Sequence, residues 1–293
     1  MNIPVYIRRR FGLVATVIAC AVSAPVLASE SVHLDKFPTE KMQSMPALQD
    51  GARTFVNYCL NCHSASMMRF NRLQDIGLTD EQISGSLQFT EGRVGDLMKV
   101  AMRHEDGKAW FGAAPPDLSV EARARASESG SGADWIYTYL RSYYRDGSRE
   151  TGWNNAIFPN VGMPNPLWQW QGMRGAVEER VAPVTDEATG KVTGWTKTTI
   201  TYDREGNKSE KVENVSGDDL HEGTHFTLGT PEGGTLSQAE FDDKVANLVA
   251  FMKFMSDPSA STRGRLGIWV LLFIALFVGC TWWLNREYWK DIK

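Results

Sequence analysis

The chain has 293 residues, of which 42% are hydrophobic and 23% charged, a composition typical of a protein that folds around an apolar core. Its formal net charge is −4 and becomes more negative once the leader described next is removed. An acidic domain argues against nucleic acid as a partner, since nucleic acid requires a basic face.

Residues 1–28 have the pattern of a secretory signal peptide. Three arginines, Arg8 to Arg10, precede an apolar run over 11–22, and Val26-Leu27-Ala28 offers a cleavage site after Ala28. Removing this segment deletes three arginines and no acid, so the net charge becomes −4 − 3 = −7, which favours a basic soluble partner. The alternative is lipidation of Cys20 within the sequence VIAC.

The stretch YCLNCH has two cysteines three residues apart and a histidine directly after the second. Cys59, Cys62 and His63 match the C-x-x-C-H pattern of covalent haem attachment. Each thiol forms a thioether with a haem vinyl group, the spacing places both sulfurs on one face of a helical turn, and the imidazole reaches the iron. We therefore predict one covalently attached haem c.

Other uses of the two cysteines are weaker. A disulfide between them would constrain little of the unfolded chain, and the surrounding residues lack the strand–helix alternation of a thioredoxin-like fold. A zinc site would recruit His221 and His225, an H-x3-H pair that follows the cysteines by about 160 residues. In a zinc finger the two ligand pairs are only about 12–15 residues apart.

Hydrophobic periodicity predicts a helix over residues 39–58 that leads into the motif, and an amphipathic helix over 88–103. Met98 and Met102 on the second helix are iron ligands by residue type, but their helical spacing favours core packing. The proline-stiffened segment GAAPPDLS follows, in which Asp117 or Ser119 is placed to cap the next helix.

Residues 133–144 predict a core helix with Trp135, Tyr139 and Tyr143 on one side. The stretch FPNVGMPNPLW differs, because Met163 lies in a loop bracketed by glycine and prolines, with no helical stripe to explain it. A thioether on a stiff loop can be held facing a metal, and His/Met ligation raises the haem potential into the range useful for electron transfer. We therefore prefer Met163 over every other methionine as an iron ligand.

Polar and apolar residues alternate over 191–215, which is rich in threonine, and this pattern predicts a β-hairpin turning at 204–207. We interpret the hairpin as an insert that takes no part in haem binding. Ser237 and Glu240 form a capping box that opens a helix to about Met255, and Pro258 ends it.

Residues 266–284 contain no charge and are long enough for a helix to cross a bilayer. Four aromatic residues lie at the C-terminal end of this segment: Trp282, Trp283, Tyr288 and Trp289. Such side chains favour the headgroup layer of a membrane. The chain is thus divided into a signal peptide (1–28), an exported haem domain (29–262), a transmembrane anchor (263–285) and a cytoplasmic tail (286–293).

The ordered combination of CLNCH, APPDLS, GMP about 100 residues after the motif, and the terminal RLGIWVLLFIALFVGCTWWL resembles the cytochrome c1 family over nearly the whole exported domain and tail. The resemblance implies a mainly α-helical, cytochrome c-like domain with long inserts. It also implies site residues: axial ligands His63 and Met163, Pro115 and Pro116 along the haem, and Arg125, with Arg123 as a close alternative, at a propionate.

The same resemblance implies a function. One electron would pass from a Rieske iron–sulfur protein to a soluble or membrane-bound cytochrome c, beside a cytochrome b subunit, within a quinol–cytochrome c oxidoreductase of a respiratory or photosynthetic chain. The chain itself would catalyse no bond chemistry. The short leader indicates a bacterial inner membrane, with the haem domain in the periplasm.

Two other classes remain open. The chain could be the haem subunit of another periplasmic dehydrogenase, or a tethered haem peroxidase. A peroxidase needs an open or readily vacated sixth coordination position, so ligation by Met163 separates it from an electron carrier.

Overall fold

The computed structural model describes residues 33–90, 92–186, 192–216 and 220–290. The predicted signal peptide, including Cys20 and Ala28, lies outside these residues, as does the end of the predicted cytoplasmic tail.

The segment that leads into the cysteine motif is helical, as predicted, but in three consecutive pieces. A 3₁₀ helix, Thr39–Gln43, precedes the first α-helix, and a π-helical turn, Phe55–Cys59, follows it. The α-helices are Met45–Thr54 (α1), Asp80–Ser86 (α2), His104–Phe111 (α3), Glu121–Ala124 (α4), Gly132–Arg141 (α5), Trp168–Gln171 (α6), Gln238–Ser256 (α7) and Ala260–Tyr288 (α8), with a further 3₁₀ helix at Phe70–Ile76.

The strands form antiparallel sheets. They are Ala65–Arg69 (β1), Leu97–Met98 (β2), Tyr143–Arg145 (β3), Trp153–Asn155 (β4), Ala176–Thr185 (β5), Val192–Tyr202 (β6), Lys208–Val215 (β7) and Gly223–Leu228 (β8). β1 pairs with β2 and β3 with β4, while the larger sheet has the order β7-β6-β5-β8.

The core is organised around the contact between α1 and α7. The predicted capping box opens α7, because the Ser237 hydroxyl accepts from the Glu240 amide and the Glu240 carboxylate accepts from the Ser237 amide. The ring of Phe55, which directly follows α1, lies 5.5 Å from the ring of Phe251 in α7. The helices approach each other closely at Gly51, where a Cβ atom would lie 2.0 Å from the carbonyl oxygen of Asn247.

We expect Gly51→Ala to destabilise the protein by about 1–3 kcal/mol, the usual cost of overpacking a core, because a backbone oxygen cannot move aside without separating α1 from α7. Denaturant unfolding measures the effect. Gly85→Ala in α2 is the matched control, since nothing lies within 4 Å of its added Cβ. It should be neutral or slightly stabilising, and an equal loss in both variants would show that the helix crossing is not the cause.

The prediction of a helix over residues 88–103 is wrong. The chain instead turns, with the Asp96 carboxylate accepting from the Arg93 amide at 2.8 Å, and then forms the short strand β2. Met98 pairs with Ala65 of β1 and is fully buried. Its side chain is apolar core, as expected, but a neighbouring strand and not a helical stripe places it there.

Asp117 and Ser119 do not cap the following helix either. α4 begins after Val120 with no side-chain cap. The Asp117 carboxylate accepts from the Ser66 amide at 2.8 Å, and the Ser119 hydroxyl accepts from the Met67 amide at 3.0 Å. Both residues therefore fasten the proline-rich segment to β1, immediately after the cysteine motif.

The mainly α-helical fold is confirmed only in part, because a sheet of four strands accompanies the helices. The predicted hairpin corresponds to β6 and β7, and the Asp203 carboxylate accepts from the Asn207 amide at its turn. β5 and β8 extend this hairpin into the larger sheet. This sheet packs on Tyr144 through three of its residues, Ala176, Ile200 and Tyr202.

The last helix, α8, agrees with the predicted anchor. Residues Thr262–Tyr288 form a stretch of 27 residues whose most apolar 18-residue window has a mean hydropathy of 2.1, and none of that window is buried within the chain. At about 1.5 Å per residue this stretch is roughly 40 Å long, which exceeds the hydrocarbon thickness of a bilayer. α8 is therefore compatible with a single-pass membrane anchor.

Candidate functional site

The cysteine motif lies in a tight turn at the end of the π-helical segment. The Cys62 and His63 amides both donate to the Cys59 carbonyl, at 3.1 and 2.9 Å. Cys59 and Cys62 are free thiols on the wall of one cavity. Burial, aided by Cys62, raises the pKa of Cys59 to about 12, and burial also raises the pKa of Cys62. Both thiols therefore stay protonated at neutral pH, and both residues line the cavity that a tethered group would occupy.

His63 has one ring nitrogen fixed and the other free. Its Nδ1 lies 2.8 Å from the Pro116 carbonyl, which can only accept, so Nδ1 carries the proton. Nε2 is left with a lone pair for a metal. Burial lowers the pKa of His63, against the opposing effects of this hydrogen bond and of the Glu121 and Asp117 carboxylates. The neutral imidazole, the form that binds iron, therefore predominates at neutral pH.

The proline-rich segment forms another part of the wall. Pro115 and Pro116 both line the cavity, and the Leu118 amide donates to the Ser64 carbonyl at 2.8 Å. This bond holds the segment directly beside the cysteine motif. The Pro116 carbonyl that orients His63 is thus part of a fixed backbone.

Met163 reaches the same cavity from the loop after β4. Its sulfur lies 3.6 Å from the hydroxyl of Tyr139 on α5. Gly162 allows a close approach, because a Cβ atom there would lie 2.9 Å from the Phe111 carbonyl oxygen. Met98 and Met102, the other candidates by residue type, do not line this cavity.

Arg125 lies on the cavity wall, whereas Arg123 is exposed and lies off it. The Arg125 Nε donates to the Glu121 carboxylate at 2.6 Å, and its guanidinium lies 4.4 Å from the centre of the Trp135 ring. Glu121 was not predicted as a site residue, and it lies on the wall because it precedes Arg125 by one helical turn.

Apart from these groups the wall is apolar, and it encloses about 1380 Å³ of empty space including its open mouth. Sequence reasoning missed several of the apolar residues that complete it: Tyr58, Phe111, Ile136, Phe158 and Met252. Two thiols, a neutral imidazole and a thioether around one large apolar cavity fit a haem. Each of the seven site residues predicted from the sequence lines this cavity.

The zinc alternative finds no support in the geometry. His225 lies exposed on β8 opposite Glu179. Among the residues that the structure describes, no group of three or more His, Cys, Asp or Glu side chains is placed to hold a metal ion.

The attachment motif and the apolar cavity define the chain as a protein of the c-type haem class. The family model described as "Cytochrome C1 family" matches residues 37–174. A protein of Nitrosomonas europaea named "Ammonia monooxygenase gamma subunit" is 39% identical over 92% of this chain and 94% of its own length. "Cytochrome c1" of Allochromatium vinosum is 34% identical over 96% of this chain and 98% of its own length.

This chain therefore belongs to the cytochrome c1 family, and the family implies a c-type haem used in electron transport. A more distant relative, "Cytochrome b/c1" of Bradyrhizobium diazoefficiens, is 22% identical over 84% of this chain but only 33% of its own length.

Proposed function

We propose that this chain holds one covalently attached haem c and relays single electrons from a Rieske iron–sulfur protein to a cytochrome c in a quinol–cytochrome c oxidoreductase. The observation that carries the proposal is the shared cavity of Cys59, Cys62, His63 and Met163 in a member of the cytochrome c1 family. The haem supplies a one-electron redox couple when bound.

The residues of the chain each contribute to this role. Cys59 and Cys62 would tether the group, and His63 and Met163 would hold its iron through an imidazole nitrogen and a thioether sulfur. The apolar wall excludes water, and Arg125 offsets the charge of a propionate.

The chain is anchored in a bacterial inner membrane by α8, with the haem domain in the periplasm after cleavage of residues 1–28 and the C-terminus in the cytoplasm. A cytochrome b subunit packs against the anchor. The apolar surface of α8, none of which is buried within the chain over its most apolar window, supports both a lipid and a protein environment for it.

A second candidate follows from the Nitrosomonas relative, whose name places it as a subunit of ammonia monooxygenase and whose identity to this chain is 39%. Under this alternative the same haem domain would serve an oxygenase assembly. The proteins that co-purify with the chain separate the two candidates.

We expect the full-length chain, purified from its native membranes in mild detergent, to carry a cytochrome b and an iron–sulfur protein and to be reduced by quinol. A chain ending before Arg263 should be soluble and red, and should accept an electron from a chemical reductant but not from quinol. Co-purification with oxygenase subunits, and with neither cytochrome b nor an iron–sulfur protein, would replace the proposal by the second candidate.

A further inference from the structure

Two tyrosine hydroxyls form a directed chain that ends on the Met163 sulfur. The Tyr143 and Tyr139 hydroxyl oxygens lie 2.7 Å apart, and the Tyr139 oxygen lies 3.6 Å from the sulfur. A thioether has no proton, so it can only accept, and Tyr139 must donate to it. Tyr143 therefore donates to Tyr139, and the direction of both hydrogen bonds is fixed by chemistry.

The two rings are held firmly in place. Tyr143 is fully buried, and the Tyr139 ring is stacked on Trp135 with centroids 4.9 Å apart and planes only 13° from parallel. The Tyr143 ring contacts the Tyr139 ring edge-on at 5.3 Å. These ring contacts hold the two phenols in place.

The loop that carries Met163 is joined to the same part of α5. The Asn155 side chain donates to the Tyr139 carbonyl at 2.8 Å, and its amide oxygen accepts from the Ile157 and Phe158 backbone at 3.1 and 3.2 Å. Asn155 is completely buried. One side chain therefore fixes the start of the loop to the residue whose hydroxyl contacts the sulfur.

We propose that Tyr139 is a positioning residue that raises the reduction potential of the haem iron by hydrogen-bonding the Met163 sulfur, with Tyr143 strengthening that bond. This inference rests on the proposed ligation of iron by Met163. A thioether sulfur has two lone pairs, one for the metal and one for a hydrogen bond. A donor on the second lone pair withdraws electron density, weakens donation to the iron and so favours the reduced state.

The test is Tyr139→Phe in the full-length haem protein. We expect the one-electron equilibrium to shift towards the oxidised form by about two- to tenfold, the range that one neutral hydrogen bond covers. The haem content should stay normal, and the far-red methionine–iron band should persist at a shifted wavelength. Tyr143→Phe, which removes only the donor to Tyr139, should shift the equilibrium in the same direction by a smaller factor.

Tyr137→Phe is the matched control, because it makes the same change on the same helix at a ring that faces Arg141 and not the cavity. It should leave potential and band unchanged. An unchanged potential in Tyr139→Phe, or an equal shift in Tyr137→Phe, overturns the inference. Should Tyr139→Phe not accumulate, Tyr143→Phe decides by itself, with an unchanged potential again contradicting it.

A double-variant cycle separates this inference from the proposed ligation. In a Met163→Leu background, Tyr139→Phe should have no further effect on the potential, because the acceptor sulfur is gone. If Met163→Leu removes the far-red band but Tyr139→Phe still shifts the potential in that background, the tyrosine acts by another route. If Met163→Leu leaves the band intact, the ligand assignment itself fails.

Discussion

We expect a variant with both Cys59→Ala and Cys62→Ala to lose all covalently bound haem. Each thiol lies on the cavity wall, and together they are the only attachment points in the described part of that wall. After denaturing electrophoresis, the native protein should retain haem-dependent peroxidase staining, and the variant should show none.

Cys280→Ala is the matched control for this experiment. Cys280 is a free, exposed cysteine of α8, so its loss should leave the staining at its native level. Staining that survives in the double variant, or purified protein with zinc and no iron, would contradict haem attachment at this motif.

The second large effect concerns the iron's sixth ligand. Met163→Leu should abolish the far-red methionine–iron band of the oxidised protein and lower its reduction potential substantially, because an apolar side chain of similar size leaves no thioether to favour the reduced iron. Absorption spectroscopy and a redox titration of the full-length protein measure both changes, and the covalently bound haem should remain.

Two other methionines serve as controls. Met252 of α7 lines the same cavity, so Met252→Leu tests whether mere proximity suffices for ligation. Met98 is fully buried in β2, away from that wall. Both variants should keep the band, and its loss in Met252→Leu or Met98→Leu with retention in Met163→Leu would reassign the ligand.

The elements that could be predicted from the sequence are those fixed by local interactions. The capping box at Ser237 needs only Glu240, one helical turn away, and the β6–β7 hairpin is set by its own alternation and turn. The haem-attachment motif is equally local. Residue type and the stiffness of its loop were enough to single out Met163, which lines the cavity beside the cysteine motif.

The predictions that failed involve partners distant in sequence. The Asp117 carboxylate bonds Ser66, 51 residues away, instead of the next helix. Met98 lies in a strand because β1 is available to pair with it, and no periodicity within residues 88–103 reveals that partner. The contact of Tyr139 with Met163 crosses 24 residues and depends on how β3 and β4 fold back on each other.

The short join between α7 and α8 limits how far the cavity can lie from the last helix. Only Asp257, Pro258 and Ser259 separate the two helices, and even fully extended they would span about 10 Å. Arg263 is also bonded to Asp257 at 2.6 Å, across this join. Met252, on the cavity wall, lies just one turn before the end of α7. With α8 as the proposed membrane anchor, a join this short would keep the cavity close to the membrane surface, and an electron-transfer partner would have to approach it there.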